Sequence, residues 1–180
     1  MRIISGSLRG LKVINPNSHR THPMSERVRG ALFNILGDLS GFRVLDAFAG
    51  SGILGFESIS HGATSVIATE MDKKTYKVLS NNVKKLELMA NVKAIHANIS
   101  SWSDKNPQEK FDLILCDPPH NNMQLSTINK LTGHLKSQKL MVVCYSGRES
   151  TPNVNGVVVV DNRSYGDAAL AFYRKVEKPV

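Results

Sequence analysis

Hydrophobic positions in this chain form short continuous runs that alternate with stretches of helical spacing. The runs predict five strands, at 42–47, 65–70, 92–97, 111–116 and 139–145. Apolar positions with helical spacing predict helices between them, at 53–60, 73–88 and near 123–136. Because strands that alternate with helices form parallel sheets, the pattern predicts an α/β fold with helices on both faces of the sheet.

Both ends of the chain add elements to this core. They are a short hairpin at 2–14, a polar loop at 15–23, a helix at 28–36 that Gly37 ends, and a second hairpin with strands at 156–162 and 168–176. The chain is therefore predicted to be a single domain over 1–180. Within it, residues 1–37 are predicted to form a basic N-terminal extension and residues 38–180 the α/β core.

The stretch 44–55 has the form of a nucleotide-binding turn. An apolar strand ends there at Asp46, and Gly50, Gly52 and Gly55 follow with the spacing G-x-G-x-x-G. Because glycine has no Cβ, such a turn lets backbone N–H groups and the start of a helix approach a ligand closely. The glycine spacing alone leaves open which ligand is bound.

Polar residues follow several predicted strands and are expected at one edge of the sheet, since ligands of parallel sheets bind beyond the carboxyl ends of the strands. They are Asp46, Glu70, Asn98 and Asp117. Glu70 stands 20 residues after Gly50, where a carboxylate accepts hydrogen bonds from both hydroxyls of a nucleotide ribose. Asn98 is a candidate for binding adenine, with a turn-forming role as the alternative.

A second motif, Asp117, Pro118, Pro119 and His120, supplies candidate catalytic groups after a predicted strand. The two prolines lack backbone donors and stiffen the loop. This loop resembles the substrate-amine loop of amino-methyltransferases, which implies that a carboxylate holds one N–H of an exocyclic base amine and a proline carbonyl holds the other, with the nitrogen lone pair toward a methyl donor. The fourth residue offers a flat ring on which a flipped base stacks. A rigid turn without chemistry is the alternative interpretation.

The charge distribution indicates a nucleic-acid partner. The net charge is +8 and the isoelectric point is about 9.6. Residues 1–30 hold six Lys or Arg side chains against a single Glu. This clustering suits a phosphate-rich partner, and a solvated basic face is the alternative.

Composition adds expectations about the compartment. With 41% hydrophobic and 21% charged residues, the 180-residue chain is long enough for one hydrophobic core. No apolar segment reaches the roughly 20 residues that span a membrane, and no secretory signal is expected. Cys116 and Cys144 lie in apolar strands and are expected to be buried thiols, so a cytoplasmic location is predicted. No His or Cys cluster has metal-ligand spacing, so no metal is predicted.

The two motifs together resemble the S-adenosylmethionine (SAM) loop and the substrate-amine loop of amino-methyltransferases. Over nearly its whole length, the chain resembles the RsmD-type 16S rRNA (guanine-N2)-methyltransferases. The segments that carry this resemblance are MRIISG at 1–6, LRG at 8–10, HPMSERVRGALFNIL at 22–36, LDAFAGSG at 45–52, DPP at 117–119 and YGD at 165–167. Many methyltransferases share the motifs at 45–52 and 117–119, so the N-terminal segments are the more specific part.

The resemblance implies a Rossmann-like, SAM-dependent methyltransferase fold with a mostly parallel seven-stranded sheet. It also implies that the methyl acceptor is the N2 amine of one guanine in 16S rRNA, in the family the nucleotide conventionally numbered 966. The expected partner is 16S rRNA, the small ribosomal subunit or its assembly intermediate, and the protein is expected to act as a monomer.

Three groups of site residues are assigned from the motifs and the resemblance. The cofactor-binding residues are Asp46, Phe48, Ala49, Gly50, Ser51, Gly52, Gly55, Glu70, Met71 and Asn98. The catalytic residues are Asp117, Pro118, Pro119 and His120. The RNA-binding residues are Arg9, Lys12, Arg20, Arg27 and Arg29.

The chain departs from the family pattern in three places. His120 stands where the family has Tyr or Phe, and an imidazole stacks less strongly and carries a pH-dependent charge. His22 and Met24 replace the usual Arg and Thr around Pro23. The link between Asp117 and the next strand is short and leaves little material for a substrate lid.

Three other functions are compatible with parts of the pattern. A DNA adenine-N6 methyltransferase uses the same kind of catalytic loop, but the chain has no insertion large enough for a target-recognition domain. An NAD-dependent oxidoreductase shares the glycine spacing, but Asp46 at the strand end and the missing substrate domain count against it. A catalytically weak RNA-binding or assembly factor is motivated by His120 and predicts SAM or RNA binding without turnover.

Overall fold

The computed structural model describes residues 1–16, 24–119 and 122–176, and seven strands within these ranges form one sheet. In chain order the strands are β1 Arg43–Asp46, β2 Ser65–Glu70, β3 Val92–His96, β4 Phe111–Cys116, β5 Leu135–Ser146, β6 Val157–Tyr165 and β7 Ala168–Lys175. The helices are α1 Glu26–Leu36, α2 Ile53–Ser60, α3 Lys73–Lys85, α4 Ile99–Lys105 and α5 Leu125–Leu131, followed by a 3-10 turn at Thr132–His134.

The strand order across the sheet is β3-β2-β1-β4-β5-β7-β6. Neighbouring strands from β3 to β5 are parallel, whereas β7 is antiparallel to both β5 and β6. This topology confirms the predicted Rossmann-like, mostly parallel α/β fold. The sheet grows from β1 toward β2 on one side and toward β4 on the other, so its switch point lies at the carboxyl end of β1, where such sheets bind ligands.

Side chains of the central strands alternate between two hydrophobic clusters, one on each face of the sheet. In β1, Val44 packs with α1, α2 and α3, whereas Leu45 packs with α4 and α5. In β4, Leu113 and Ile114 alternate between the two faces in the same way. Burial on both faces explains why these strands appear in the sequence as continuous apolar runs.

The predicted bounds are correct for α2, β2 and β4 and differ in several other elements. The helix predicted at 73–88 ends at Lys85, because Glu87 has a left-handed backbone with φ of 58°. Strand β5 begins at residue 135 instead of 139, since a register shift against β4 and a φ of 60° at Gln138 interrupt its apolar pattern. The helix predicted near 123–136 is confined to α5 and the 3-10 turn. The short helix α4 was not predicted.

The hairpin predicted at 2–14 is instead a compact segment, which we call the N-terminal arm (residues 1–16). In place of two paired strands, the arm has an isolated antiparallel bridge between Arg2 and Lys12. The backbone N–H of Ile3 donates to Leu11 O at 3.0 Å, and that of Val13 donates to Met1 O at 2.9 Å. Ile3 and Val13 are buried in the same cluster as α1, so the arm is fixed to the core through its side chains.

Helix α1 begins behind Ser25, whose side chain accepts a hydrogen bond from Val28 N, and ends before Gly37 as predicted. Much of the polar loop predicted at 15–23 lies outside the described residues. No helix in the described ranges has the length and apolar character needed to cross a membrane.

Candidate functional site

The glycine turn (residues 47–52) links β1 to α2 at the switch point of the sheet. Ala49 N donates to Thr69 O at 3.0 Å, and Gly52 N donates to Ala49 O at 2.7 Å, so the turn is anchored to β2 and closed on itself. Gly52 has φ of 89°, and a Cβ there would lie 2.5 Å from Leu79 Cδ1. A side chain at residue 52 would therefore require strained backbone and a displaced neighbour.

Asp46 lies fully buried beneath this turn. One carboxylate oxygen accepts a hydrogen bond from Gly55 N at 3.1 Å, and the other, Oδ1, has no partner among the described residues. Burial raises the pKa of Asp46 to about 7; the Gly55 hydrogen bond opposes this rise, and the charges of Asp117 and Glu70 add to it. A buried carboxylate oxygen without a partner is a place for a donor from a ligand.

Glu70 joins the end of β2 to the glycine turn. Its carboxylate accepts hydrogen bonds from Gly50 N at 3.1 Å and from Asp72 N at 2.7 Å. Burial raises the pKa of Glu70, and these backbone hydrogen bonds oppose the rise. Each carboxylate oxygen has a further lone pair, so Glu70 retains the capacity to accept from the hydroxyls of a nucleotide ribose.

Met71 and Asn98 lie beside Glu70 at the carboxyl ends of β2 and β3. Met71 is 62% exposed, and its backbone carbonyl lies 3.1 Å from Nε2 of His96. Asn98 is the N-cap of α4, and its Oδ1 accepts from Ser100 N at 2.9 Å and Ser101 N at 3.2 Å. The side-chain oxygen of Asn98 thus has the turn-forming role that the sequence offered as an alternative to adenine binding.

The Asp-Pro-Pro motif follows β4, next to β1 in the sheet. Asp117 is half-buried, Pro118 is buried and Pro119 is exposed, with Pro119 O accepting a hydrogen bond from Asn122 N at 2.9 Å. His120 lies outside the described residues. The Cys144 thiol, on β5, donates a hydrogen bond to the Asp117 carboxylate. The predicted site residues Asp46, Glu70 and Asp117 are therefore gathered at one edge of the sheet.

Both cysteines are buried free thiols, as predicted. Burial raises the pKa of Cys116 and of Cys144, and the charge of Asp117 raises both further. These thiols therefore stay protonated at neutral pH, which suits Cys144 as a hydrogen-bond donor. No sequence motif links Cys144 to Asp117, because the pairing of β5 with β4 is what brings the two together.

The residues predicted to bind RNA separate into two groups. Arg9, Lys12 and Arg27 are exposed, and Arg20 lies outside the described residues. The prediction for Arg29 is wrong, because its side chain is fully buried. Its guanidinium pairs with Glu57 of α2 at 2.9 Å and donates to the backbone carbonyls of Met24 and Arg2. Arg29 therefore joins α1, α2 and the N-terminal arm and has no surface for RNA.

The described ranges contain no group of three or more His, Cys, Asp or Glu side chains arranged to hold a metal ion. The polar groups at the edge of the sheet are instead carboxylates and backbone donors, spaced along the ends of β1, β2 and β4. Such a row suits an extended organic ligand with several hydrogen-bonding groups.

The family model described as conserved hypothetical protein 95 matches residues 1–174. Ribosomal RNA small subunit methyltransferase D of Buchnera aphidicola (Acyrthosiphon pisum) is 39% identical over 72% of this chain and 68% of its own. The protein of the same name from Escherichia coli K12 is 33% identical over 86% of this chain and 79% of its own.

A solved structure, a putative methyltransferase yhhF from Escherichia coli, superposes with a TM-score of 0.85 and 28% identity, covering 99% of each chain. These matches confirm the predicted family and the methyltransferase class. They count against the oxidoreductase alternative, which rested on the glycine spacing alone. The prediction of SAM as methyl donor agrees with the methyltransferase names of these relatives.

Proposed function

Because the chain belongs to the ribosomal RNA small subunit methyltransferase D family, we propose that it transfers a methyl group from SAM to the N2 amine of one guanine in 16S rRNA. The observation that carries the proposal is the convergence of Asp46, Glu70 and Asp117 at the switch point of the sheet. The first two face the glycine turn, and the third begins the Asp-Pro-Pro loop, so cofactor and acceptor groups meet at one edge.

The polar groups at this edge fit the parts of SAM. The unpartnered Oδ1 of Asp46 accepts from the α-ammonium group, which removes the cost of a buried oxygen without a hydrogen bond. Glu70 accepts from the ribose hydroxyls beside the glycine turn. The exposed Met71 side chain offers an apolar surface to the adenine ring, and Asn98 lies at the same end of the sheet.

The acceptor amine is held by the Asp-Pro-Pro loop. The Asp117 carboxylate accepts from one N–H, and the Pro118 carbonyl accepts from the other, since Pro119 O is already bonded to Asn122 N. With both N–H groups held, the nitrogen lone pair points at the methyl carbon, and positioning lowers the barrier.

When bound, SAM would supply an electrophilic methyl group, and the electron pair of the C–S bond would remain on its sulfur. The amine nitrogen forms the new N–C bond and loses one proton, which leaves along the hydrogen bond to Asp117. Cys144 donates to the same carboxylate from β5 and fixes its orientation. Because the nitrogen becomes acidic only as the methyl arrives, a carboxylate is a sufficient acceptor.

The exposed side chains of Arg9, Lys12 and Arg27 contact the phosphates of the RNA and orient it on the protein. The net charge of +8 strengthens this attraction. The flipped guanine base stacks on the imidazole ring of His120, the role that the sequence motif assigns to this residue. The partner is 16S rRNA, free or within the small subunit or an assembly intermediate, and the protein acts on it as a monomer in the cytoplasm.

The test is methyl transfer from labelled SAM to three acceptors from cells that lack the endogenous modification. These are small ribosomal subunits, their assembly intermediates and naked 16S rRNA. We expect N2-methylguanosine at a single position, identified by mass spectrometry of the digested nucleosides. N6-methyladenosine in a DNA acceptor would favour the adenine methyltransferase alternative instead. SAM binding without transfer to any acceptor would overturn the proposed activity and leave an RNA-binding assembly factor.

A further inference from the structure

The buried side chain of Asn82, in α3, connects the N-terminal arm to the glycine turn. Its Oδ1 accepts a hydrogen bond from Ile14 N at 2.9 Å. Its Nδ2 donates to Ile14 O at 2.9 Å and to Ser51 O at 3.0 Å. One amide therefore holds the backbone of the arm on one side and the backbone of the glycine turn on the other.

The amide of Asn82 is suited to this position in a way that similar side chains are not. It is fully buried, and it offers the one acceptor and two donors that the three backbone groups require. A carboxylate would place an oxygen against the two carbonyls of Ile14 and Ser51. An alanine would leave three backbone groups without these partners. The three bonds form together only when the arm and the turn are both in place.

The arm is also attached to α2, the helix that the glycine turn enters. Ser7 N donates to Ser60 O at 2.8 Å, Leu8 N donates to Ser60 Oγ at 2.9 Å, and Ile4 N donates to Glu57 Oε1 at 2.9 Å. The arm thus bridges α2 and α3, the two helices beside the turn. The contact through Asn82 also reaches the glycine turn, at Ser51 O.

We propose that Asn82 couples cofactor binding at the glycine turn to RNA binding by the N-terminal arm. The inference rests on the proposed function for the identity of the two ligands. A ligand that fixes Ser51 favours the arrangement in which Asn82 also holds Ile14, and RNA that fixes the arm through Arg9 and Lys12 favours the same arrangement. Each ligand therefore raises the affinity of the protein for the other ligand. By thermodynamic linkage, the factor by which the cofactor raises RNA affinity equals the factor by which RNA raises cofactor affinity, and we call it the coupling factor.

The coupling is measured with S-adenosylhomocysteine, which cannot transfer a methyl group, and unmodified small subunits. The dissociation constant of each ligand is determined with and without a saturating amount of the other. In the native protein we expect each ligand to lower the dissociation constant of the other by about fivefold or more, within the range usual for coupled sites. In Asn82→Ala and Asn82→Asp the factor falls toward 1, whereas it is unchanged in Asn81→Ala, the exposed neighbour on the same helix.

A second measurement needs no variant. Hydrogen exchange of the Ile14 amide, whose acceptor is Asn82 Oδ1, should slow when S-adenosylhomocysteine binds to the native protein. Protection at Ser51 without any change at Ile14 would overturn the coupling, as would an undiminished factor in a folded Asn82 variant. A native protein that binds both ligands with a factor of 1 refutes the inference and leaves the proposed function standing. Failure to bind S-adenosylhomocysteine at all refutes the proposed function itself.

Discussion

Asp46 accepts a hydrogen bond from the backbone N–H of Gly55 at 3.1 Å, and this bond ties the end of β1 to the first turn of α2. The other oxygen of the carboxylate is buried without a partner in the described part of the chain. Because burial raises the pKa of Asp46 to about 7, the group is poised between its neutral and charged forms at neutral pH. A cationic group bound next to Asp46 therefore shifts this carboxylate to its charged form.

The first prediction concerns the pH dependence of SAM affinity. Below pH 7 Asp46 is protonated and must release its proton to pair with the α-ammonium of SAM, so affinity should rise about tenfold per pH unit up to about pH 7 and then level off. Titration calorimetry between pH 5 and 8 measures this slope. Asp46→Asn should bind more weakly and without the slope, while the exposed control Asp104→Asn keeps it. A native protein with a flat profile would contradict the role of Asp46.

The second prediction concerns stability without ligand. The pKa of Asp46 rises from 3.8 in the unfolded chain to about 7 in the folded protein, so its contribution to stability is full below about pH 4 and is lost as the pH rises through 7. From pH 5 to pH 8 the loss is about 3 kcal/mol. Urea unfolding at both pH values should show this decrease relative to Asp46→Asn, in which residue 46 does not titrate. An equal pH response in the two proteins would contradict the raised pKa.

The third prediction separates catalysis from cofactor binding. Asp117→Ala should abolish methyl transfer and leave the SAM dissociation constant within about twofold, since only the acceptor amine loses its partner. Glu70→Ala should raise the SAM dissociation constant first, because it removes the acceptor for the ribose and for Gly50 N. Kinetics and direct binding on both variants test the division of roles. Equal loss of binding and turnover in Asp117→Ala would contradict it.

The fourth prediction tests Cys144 as a positioning residue for Asp117. Cys144→Ala removes the thiol donor, and the loss of one hydrogen bond to a carboxylate should lower kcat about tenfold, with KM for SAM nearly unchanged. Cys144→Ser keeps a donor at the same place and should recover most of the rate. Steady-state kinetics on the two variants and on the control Cys116→Ala distinguish orientation from packing. A serine variant as slow as the alanine variant would argue for packing alone.

The sequence was sufficient for the sheet and for the placement of Glu70 and Asp117 at one edge, because both depend on local signals. The strands β2 and β4 are apolar runs ended by Glu70 and Asp117, and parallel pairing then places these ends together. The N-cap role of Asn98 is local as well, but α4 is too short to give a helical pattern that would have revealed it.

The residues that sequence reasoning missed depend on distant partners. Helical spacing places Asn82 on the buried face of α3 with Thr75, Leu79 and Val83. Its hydrogen bonds to the arm and to the glycine turn depend on backbone groups far away in the sequence, which the spacing does not indicate. The contact of Cys144 depends on the register of β5 against β4, which shifts between Phe111 and Leu113. Arg29 lies on the buried face of α1 with Val28, Leu32 and Phe33, and its partner is a carboxylate 28 residues away that the local sequence does not indicate.

The fifth prediction concerns this buried pair, Arg29 and Glu57, which are joined at 2.9 Å with both side chains almost inaccessible. Arg29→Met leaves a carboxylate buried without its cation and should destabilise the fold by about 3–5 kcal/mol. The double variant Arg29→Met with Glu57→Leu also removes the buried carboxylate, so it should recover part of the lost stability. Urea unfolding of the single and double variants measures the coupling between the two residues.

Arg27, two residues away on the same helix and exposed, is the matched control for RNA binding. Arg27→Ala should change stability by less than about 0.5 kcal/mol but weaken binding to small subunits and reduce the slope of log affinity against log salt by about 1. Arg29→Met, studied where it is folded, should keep the native slope, because a guanidinium enclosed by Glu57 and two carbonyls displaces no counterion from phosphate. A reduced slope in Arg29→Met with native stability would show that the guanidinium reaches the RNA despite its burial in the free protein.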